Sequence, residues 1–282
     1  MTPAPNSSPS ASLPHFGIVI IGDEILSGKR ADKHLSKAIE ILAARGLQLA
    51  YAHYVGDSPE RITATLAQAF ASGDVVFSCG GIGATPDDHT RQCAAAALGQ
   101  ELVLHPEARA LITERMQDTA REQGLAFAPE RSDNVHRYNM GVFPASARII
   151  PNPYNKIPGF SCDGRRGGAV HFVPGFPVMA WPMMEWVLDT HYPHWRGAGS
   201  QAERSVVVYG AMEAALTPLM EDLEKQFPTV KVFSLPSVDH PDHGRHIELG
   251  VKGPAEELDA AYAAMLAGLR AFGAPLGPEL VR

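Results

Sequence analysis

Short apolar runs alternate with helical periodicities along the first third of the chain. Phe16 to Ile21 is an unbroken run rich in β-branched residues and ended by Gly22-Asp23, the pattern of a strand buried on both faces. From about His34 to Arg45 the apolar positions Leu35, Ile39 and Leu42 fall on one helix face, with Gly46 placed to end the helix. Leu47 to Val55 predicts a second strand. Ser58-Pro59 then offers a cap and a first-turn proline to a helix carrying Ile62, Leu66 and Phe70. Asp74 to Cys79 predicts a third buried strand that runs straight into Gly80, and a further helix is expected over Thr90 to Leu98. This order implies parallel strands joined by right-handed crossovers with helices on both faces, hence an α/β three-layer sandwich. Ligands of such sheets sit outside the carboxyl ends of the strands, so Gly22-Asp23-Glu24 and the glycine segment should meet at one edge.

Further on, a long polar helix is expected from about Pro106 to Gln123, then a loop over Pro129 to Arg137. Ala147 to Ile150 and Ala169 to Val173 predict short strands. Between them, Pro151 to Gly159 is too rich in proline for regular structure. The turn Pro174-Gly175-Phe176-Pro177 leads into a helix near Val178 to Asp189. His191 to Glu203 reads as a linker. After it, strand Ser205 to Tyr209, a helix through Leu216, Leu223 and Phe227, strands Val230 to Ser234 and His246 to Val251, and a last helix through Leu258, Met265, Leu269 and Phe272 predict a small α+β domain. The expected boundaries are a disordered leader over 1–15, the main domain over 16–192 and the small one over 203–274.

Composition narrows the function classes. A net charge of -7 over 282 residues argues against a nucleic-acid binder, so an anionic ligand would need local N–H groups or a metal. Cys79, Cys93 and Cys162 have neither disulfide nor zinc spacing. The one local histidine cluster, Asp239 to Gly244, reads first as a turn-rich solvated loop and only secondly as a metal site. With no signal-peptide pattern and no run long enough to span a bilayer, a cytoplasmic location without membrane association is expected.

The candidate chemistry lies in Gly80-Gly81-Ile82-Gly83-Ala84-Thr85-Pro86-Asp87-Asp88-His89-Thr90. The glycines let backbone N–H groups face a ligand, and the following helix start favours a phosphate. Asp at a helix start is a good cap, which would explain one of Asp87 and Asp88 but not both. Two acids beside a phosphate need a cation, so Mg2+ or another divalent ion is expected between them. The segment is neither a P-loop nor a dinucleotide fingerprint, and no Ser-His-Asp arrangement is signalled. Cys79 reads as a core residue rather than a nucleophile.

Gly22 to Gly28 and Ser78 to Thr90 resemble the two motifs of the molybdopterin-binding fold shared by the MogA/MoaB proteins and the N-terminal domain of the competence/damage-inducible protein CinA. Asn152-Pro153 with Ile157-Pro158-Gly159-Phe160, and Val173-Pro174-Gly175-Phe176-Pro177, are similar to loops of the CinA type. The resemblance implies a nucleotide- or molybdopterin-binding domain with metal-assisted phosphoryl chemistry. By position, Asp88 matches the essential acid of molybdopterin adenylyltransferases, with Asp87 beside it as a second catalytic candidate. Gly80, Gly81, Gly83 and Thr85 match the phosphate cradle, and the same motifs place Gly22, Ser27, Thr90, Gly159 and Gly175 among ligand-binding positions. Asp88, Asp23 and Glu24 would hold the metal. The resemblance further implies a homo-oligomer. Full-length CinA carries a deamidase domain beyond the last residue of this chain, so nicotinamide-nucleotide deamidation is not expected.

The chain departs from the CinA pattern at Ala84, where proline is usual, at Asn155-Lys156-Ile157 in place of Gly-x-Ala, and at Pro177-Val178-Met179, which lacks Ser-Glu-Met. Three functions remain in view: a metal-dependent nucleotide pyrophosphatase acting on ADP-ribose-like dinucleotides, a molybdopterin adenylyltransferase of molybdenum cofactor biosynthesis, and a binding module without turnover.

Overall fold

The computed structural model describes residues 13–198 and 202–281. Most of the expected leader therefore lies outside the described residues. The chain divides into two compact units, Met1–Gly199 and Ser200–Arg282.

The first unit begins with β1 (Phe16–Ile21), buried throughout, and a single turn, α1 (Asp23–Leu26). α2 (His34–Ala43), β2 (Leu49–Val55), α3 (Pro59–Ser72) and β3 (Val75–Cys79) follow. The Ser58 hydroxyl caps α3 by accepting from Arg61 N, and Gly73 closes that helix in the left-handed region. After the glycine segment come α4 (Thr90–Leu98), β4 (Leu102–Leu104), α5 (Pro106–Glu122), α6 (Ser132–Arg137) and β5 (Val142–Pro144). β6 (Arg148–Ile150), β7 (Gly159–Asp163), β8 (Ala169–Val173) and α7 (Pro177–His191) complete the unit.

Its main sheet has the order β2-β1-β3-β8-β7-β6. Strands β2, β1, β3 and β8 are parallel, and β7 runs antiparallel to both its neighbours. Alternate residues of β1 divide between two cores. Val19 and Ile21 pack with Ile62, Leu66 and Phe70 of α3 and Cys93 and Ala94 of α4. Phe16, Ile18 and Ile20 pack with Ala38, Ile41 and Leu42 of α2 and Met183, Met184 and Val187 of α7. The sheet is thus covered on both faces, the three-layer arrangement its apolar runs require.

Some expectations need correction. Ser132–Arg137, expected within a loop, forms the helix α6. Ile39 is exposed, and α2 instead buries His34, Ala38, Ile41 and Leu42. Gly159, expected as the end of an irregular loop, instead opens a strand, Gly159–Asp163, buried up to Cys162: pairing with both β6 and β8 supplies the backbone partners its mixed composition does not advertise.

The second unit comprises β9 (Ala202–Val208), α8 (Glu213–Gln226), β10 (Lys231–His240), β11 (Gly244–Gly253), α9 (Ala255–Phe272) and β12 (Leu276–Val281). Its antiparallel sheet has the order β10-β11-β9-β12, and both helices pack on a core of Val206, Val208, Leu249, Val251, Tyr262 and Met265. The histidine segment is the tip of the β10–β11 hairpin. The rings of His240, His243 and His246 approach one another at 4.9 to 5.7 Å between centroids. Among the described residues, no group of three His, Cys, Asp or Glu side chains could hold a metal ion. Nor is any helix among them long and apolar enough to cross a membrane.

Candidate functional site

The carboxyl ends of β1, β2 and β3 converge on a cleft of about 780 Å3. Gly22 N donates to Val55 O at 3.0 Å, which ties the ends of β1 and β2 together. On the other side, Gly80 N donates to Val173 O at 3.1 Å and couples the glycine segment to the end of β8. Gly80 and Gly81 have φ of 106° and 68°. A Cβ at Gly80 would strike Ile21 O and one at Gly81 would strike Thr90 Oγ1, so both positions require glycine on two grounds. The N–H groups of Gly81, Ile82 and Gly83 have no protein partner among the described residues. Successive unpaired amides after left-handed glycines form an anion-binding concavity.

The acids arrange themselves around this cradle. Glu24, Asp87 and Asp88 all line the cleft. Asp88 also builds the loop: its Oδ2 accepts from Thr85 N at 2.8 Å and from Thr85 Oγ1 at 2.6 Å. Neither Asp caps α4, because His89 occupies the cap position and makes no side-chain cap bond. The expectation that capping explains one of the pair is therefore replaced by a turn that Asp88 closes over Thr85. Gly83 lies beneath it, and a Cβ there would stand 2.6 Å from Asp88 Oδ2.

Of the other predicted site residues, Gly22, Gly80, Gly81, Gly83, Thr85 and Gly175 line the same cleft. Four do not. Thr90 is fully buried and donates its hydroxyl to Gly80 O at 3.1 Å, holding the loop from behind. Gly159 is buried in β7, where a Cβ would strike Phe172 O; its smallness serves strand packing. Ser27 is exposed at the end of α1 and is not among the residues lining the cleft. Asp23 lines a neighbouring depression with Leu26 and Tyr54, and its Oδ1 accepts from Asp57 N at 3.1 Å while Asp57 Oδ2 accepts from Asp23 N at 2.9 Å.

Asp57 is a cleft residue that the sequence reading missed. Burial raises its pKa, and the charges of Asp23, Glu24 and Asp87 raise it further, against the hydrogen bond from Asp23 N–H. A signal was available, since Gly56-Asp57 repeats after β2 what Gly22-Asp23 does after β1. Lys29 and Arg30 also line the cleft and supply its cationic side chains. Arg91 was missed as well. It is buried in α4, and its Nη1 donates to Asn139 O at 2.6 Å and Ile82 O at 3.3 Å, bracing the far side of the loop. Burial depresses its pKa, against the pull of the Asp88 charge.

Clustered carboxylates with mutual repulsion are a hard-oxygen donor set that suits a divalent cation such as Mg2+. Because no three of them form a closed cage, such an ion would take its remaining ligands from phosphate and water, as Mg2+ commonly does. Thiol chemistry is not offered here: Cys79 is buried at the end of β3 and burial pushes its pKa up.

Residues 17–194 match the family model described as a probable molybdopterin binding domain. A protein of Pyrobaculum calidifontis is 30% identical over 259 residues, covering 90% of this chain and 94% of its own length. A CinA-like protein of Syntrophotalea carbinolica is 29% identical over 227 residues, 76% of this chain and 51% of that one. The chain spans about half the length of the CinA-like relatives it matches. The solved structure of the CinA protein of Thermoplasma acidophilum superposes with a TM-score of 0.52 at 27% identity, covering 62% of this chain and 96% of that one.

Proposed function

The chain belongs to the family of the probable molybdopterin binding domain, among its CinA-like members, and on that premise we propose that it is a metal-dependent nucleotide pyrophosphatase acting on ADP-ribose-like dinucleotides. The observation that carries the reading is the pairing, in one cleft, of the unpaired Gly81, Ile82 and Gly83 amides with the Glu24, Asp57, Asp87 and Asp88 carboxylates. Amides alone would suit any anion. Carboxylates alone would repel one. Together they suit a phosphate bound with a cation.

In this scheme the Gly81 to Gly83 amides hold one phosphate and orient it, while Lys29 and Arg30 meet the charge of the second. Glu24 and Asp87 would contribute carboxylate ligands to a divalent ion, with phosphate and water completing its shell. That ion supplies neutralisation of charge on the phosphate oxygens. Asp88 Oδ1, whose partner oxygen is tied to Thr85, orients the attacking water and takes its proton. A new O–P bond forms to water, the P–O–P bridge breaks, and AMP leaves with ribose 5-phosphate.

A binding module without turnover is the reading favoured by the double commitment of Asp88 Oδ2 to Thr85. Purified protein incubated with ADP-ribose or FAD and Mg2+, Mn2+ or Co2+ separates the two. AMP release supports the hydrolase. No release from any substrate, together with tight pterin binding, overturns it.

A further inference from the structure

The cleft has a second wall, chemically unlike the first. Phe176 is 58% exposed, although large aromatic side chains are costly to leave in water. It lines the cleft with Met179, one turn further on in α7, and with Asn155. The turn that presents it is held at several points. His34, itself buried in α2, bonds through Nε2 to Gly175 O at 3.0 Å. Phe176 O accepts from Met179 N at 3.0 Å and Ala180 N at 2.9 Å, and prolines stand at 174 and 177. A ring on so restrained a backbone loses little further freedom when a ligand packs on it.

Asn155 brings a directed polar group to the same wall. Its Oδ1 is occupied by Asn152 Nδ2 at 2.8 Å and Ile157 N at 3.1 Å, which fixes the sense of the amide. Its Nδ2 is left facing only the thioether of Met179 at 3.4 Å, a weak acceptor. The wall therefore offers an aromatic face, a polarisable sulfur and one N–H donor in search of a better partner. It also adjoins the phosphate cradle: a Cβ on Gly175 would sit 3.5 Å from the Gly80 Cα.

Resting on the phosphate reading above, we propose that Phe176, Met179 and Asn155 form the ring subsite of this cleft, which takes the planar nitrogen heterocycle of a ligand whose phosphate lies on the glycine segment. The ring stacks on Phe176 and Met179, and the Asn155 amide donates to a ring nitrogen or carbonyl at its edge. An adenine and a pterin share this chemistry.

Calorimetric titration of the whole chain in Mg2+ tests the proposal with AMP, a phosphorylated pterin and ribose 5-phosphate, the last carrying the phosphate without a ring. Tighter binding of AMP or of the pterin than of ribose 5-phosphate is expected, and the tighter of the two identifies the ring source. Phe176→Ala should weaken that ligand about tenfold, the scale of base stacking on an aromatic side chain, and leave ribose 5-phosphate unchanged. The unchanged arm also shows that the variant is folded. Phe176→Trp should restore the loss, and Asn155→Ala should weaken the ringed ligand alone. Equal wild-type affinity for all three, or an unaltered ringed ligand in Phe176→Ala, overturns the ring subsite and leaves the phosphate reading standing. If the wild type binds none of them, both readings fall together.

Discussion

Asp23 and Glu24 follow β1 much as Asp87 and Asp88 follow the turn after β3, and Glu24 meets Asp87 and Asp88 across one cleft. In each pair one carboxylate is tied into backbone. Asp23 Oδ1 takes the Asp57 N–H and so joins the loops after β1 and β2, while Asp88 Oδ2 takes the Thr85 N–H and closes its own turn. The difference lies in what the tied member still does. Asp23 is drawn out of the cleft by its bond, whereas Asp88 remains in it. Glu24 and Asp87 line the cleft without bracing a neighbouring loop. An acid's place in a motif thus does not decide its role; the backbone groups within its reach do.

The largest expected effect breaks that comparison at Asp88. Asp88→Ala should abolish nucleotide hydrolysis, a loss of at least about a hundredfold, and cost about 1 kcal/mol of stability through the freed Thr85 turn. Asp88→Asn keeps an acceptor for Thr85 but not the charge, so it should restore the stability and not the rate. AMP release and thermal unfolding measured on both variants check this. Wild-type turnover in either variant removes the Asp88 carboxylate from the chemistry.

The pair after β1 should split the other way. Glu24→Gln is expected to lower kcat/KM by roughly tenfold while leaving Tm unchanged, because its carboxylate faces the cleft and Gly22 lies beneath it. Asp23→Ala should instead lower stability by about 1 kcal/mol, the scale of a lost side-chain cap, with a smaller effect on rate. If Asp23→Ala proves the more damaging to kcat/KM, the division of labour drawn from the structure is wrong.

This division was not legible in the sequence, although the edge that carries it was. Apolar runs and turn formers suffice to place β1, β3, α3 and α4, because a strand buried on both faces and a capped amphipathic helix are local patterns. His34 escaped that logic. Its ring is buried through a bond to Gly175 O, 141 residues away, so periodicity offered Ile39 for the buried face in its place. β10 continues through Pro236 to His240, past the expected end at Ser234, because an edge strand needs no N–H on its open side. Within the site, Asp57 could have been read from the repeated Gly-Asp after a strand. Arg91 could not, since a charged residue in a helix reads as solvated until the carbonyls of Ile82 and Asn139 are placed beside it.

The smallest effect sharpens the comparison at the residue both acidic pairs influence. Asp57 binds its proton more tightly in the folded chain than in the unfolded one, because of its burial and of the nearby Asp23, Glu24 and Asp87 charges. Between the unfolded carboxylate value and the raised folded one, the folded chain therefore holds more protons. Stability contributed by this group falls as pH rises through that window, and the full penalty is present above it. Asp57→Asn removes the titration but keeps an acceptor for the Asp23 N–H, so its stability should fall less steeply as pH rises from the unfolded carboxylate range through the raised folded value. The group is only half-buried and salt screens it, which limits the gain at neutral pH to at most about 0.5 kcal/mol. Added Mg2+ relieves the same repulsion, so it should raise the Tm of the wild type more than that of the variant. Parallel curves of Tm against pH, with equal responses to Mg2+, would mean that the acids after β1 and β3 do not act on one another through Asp57.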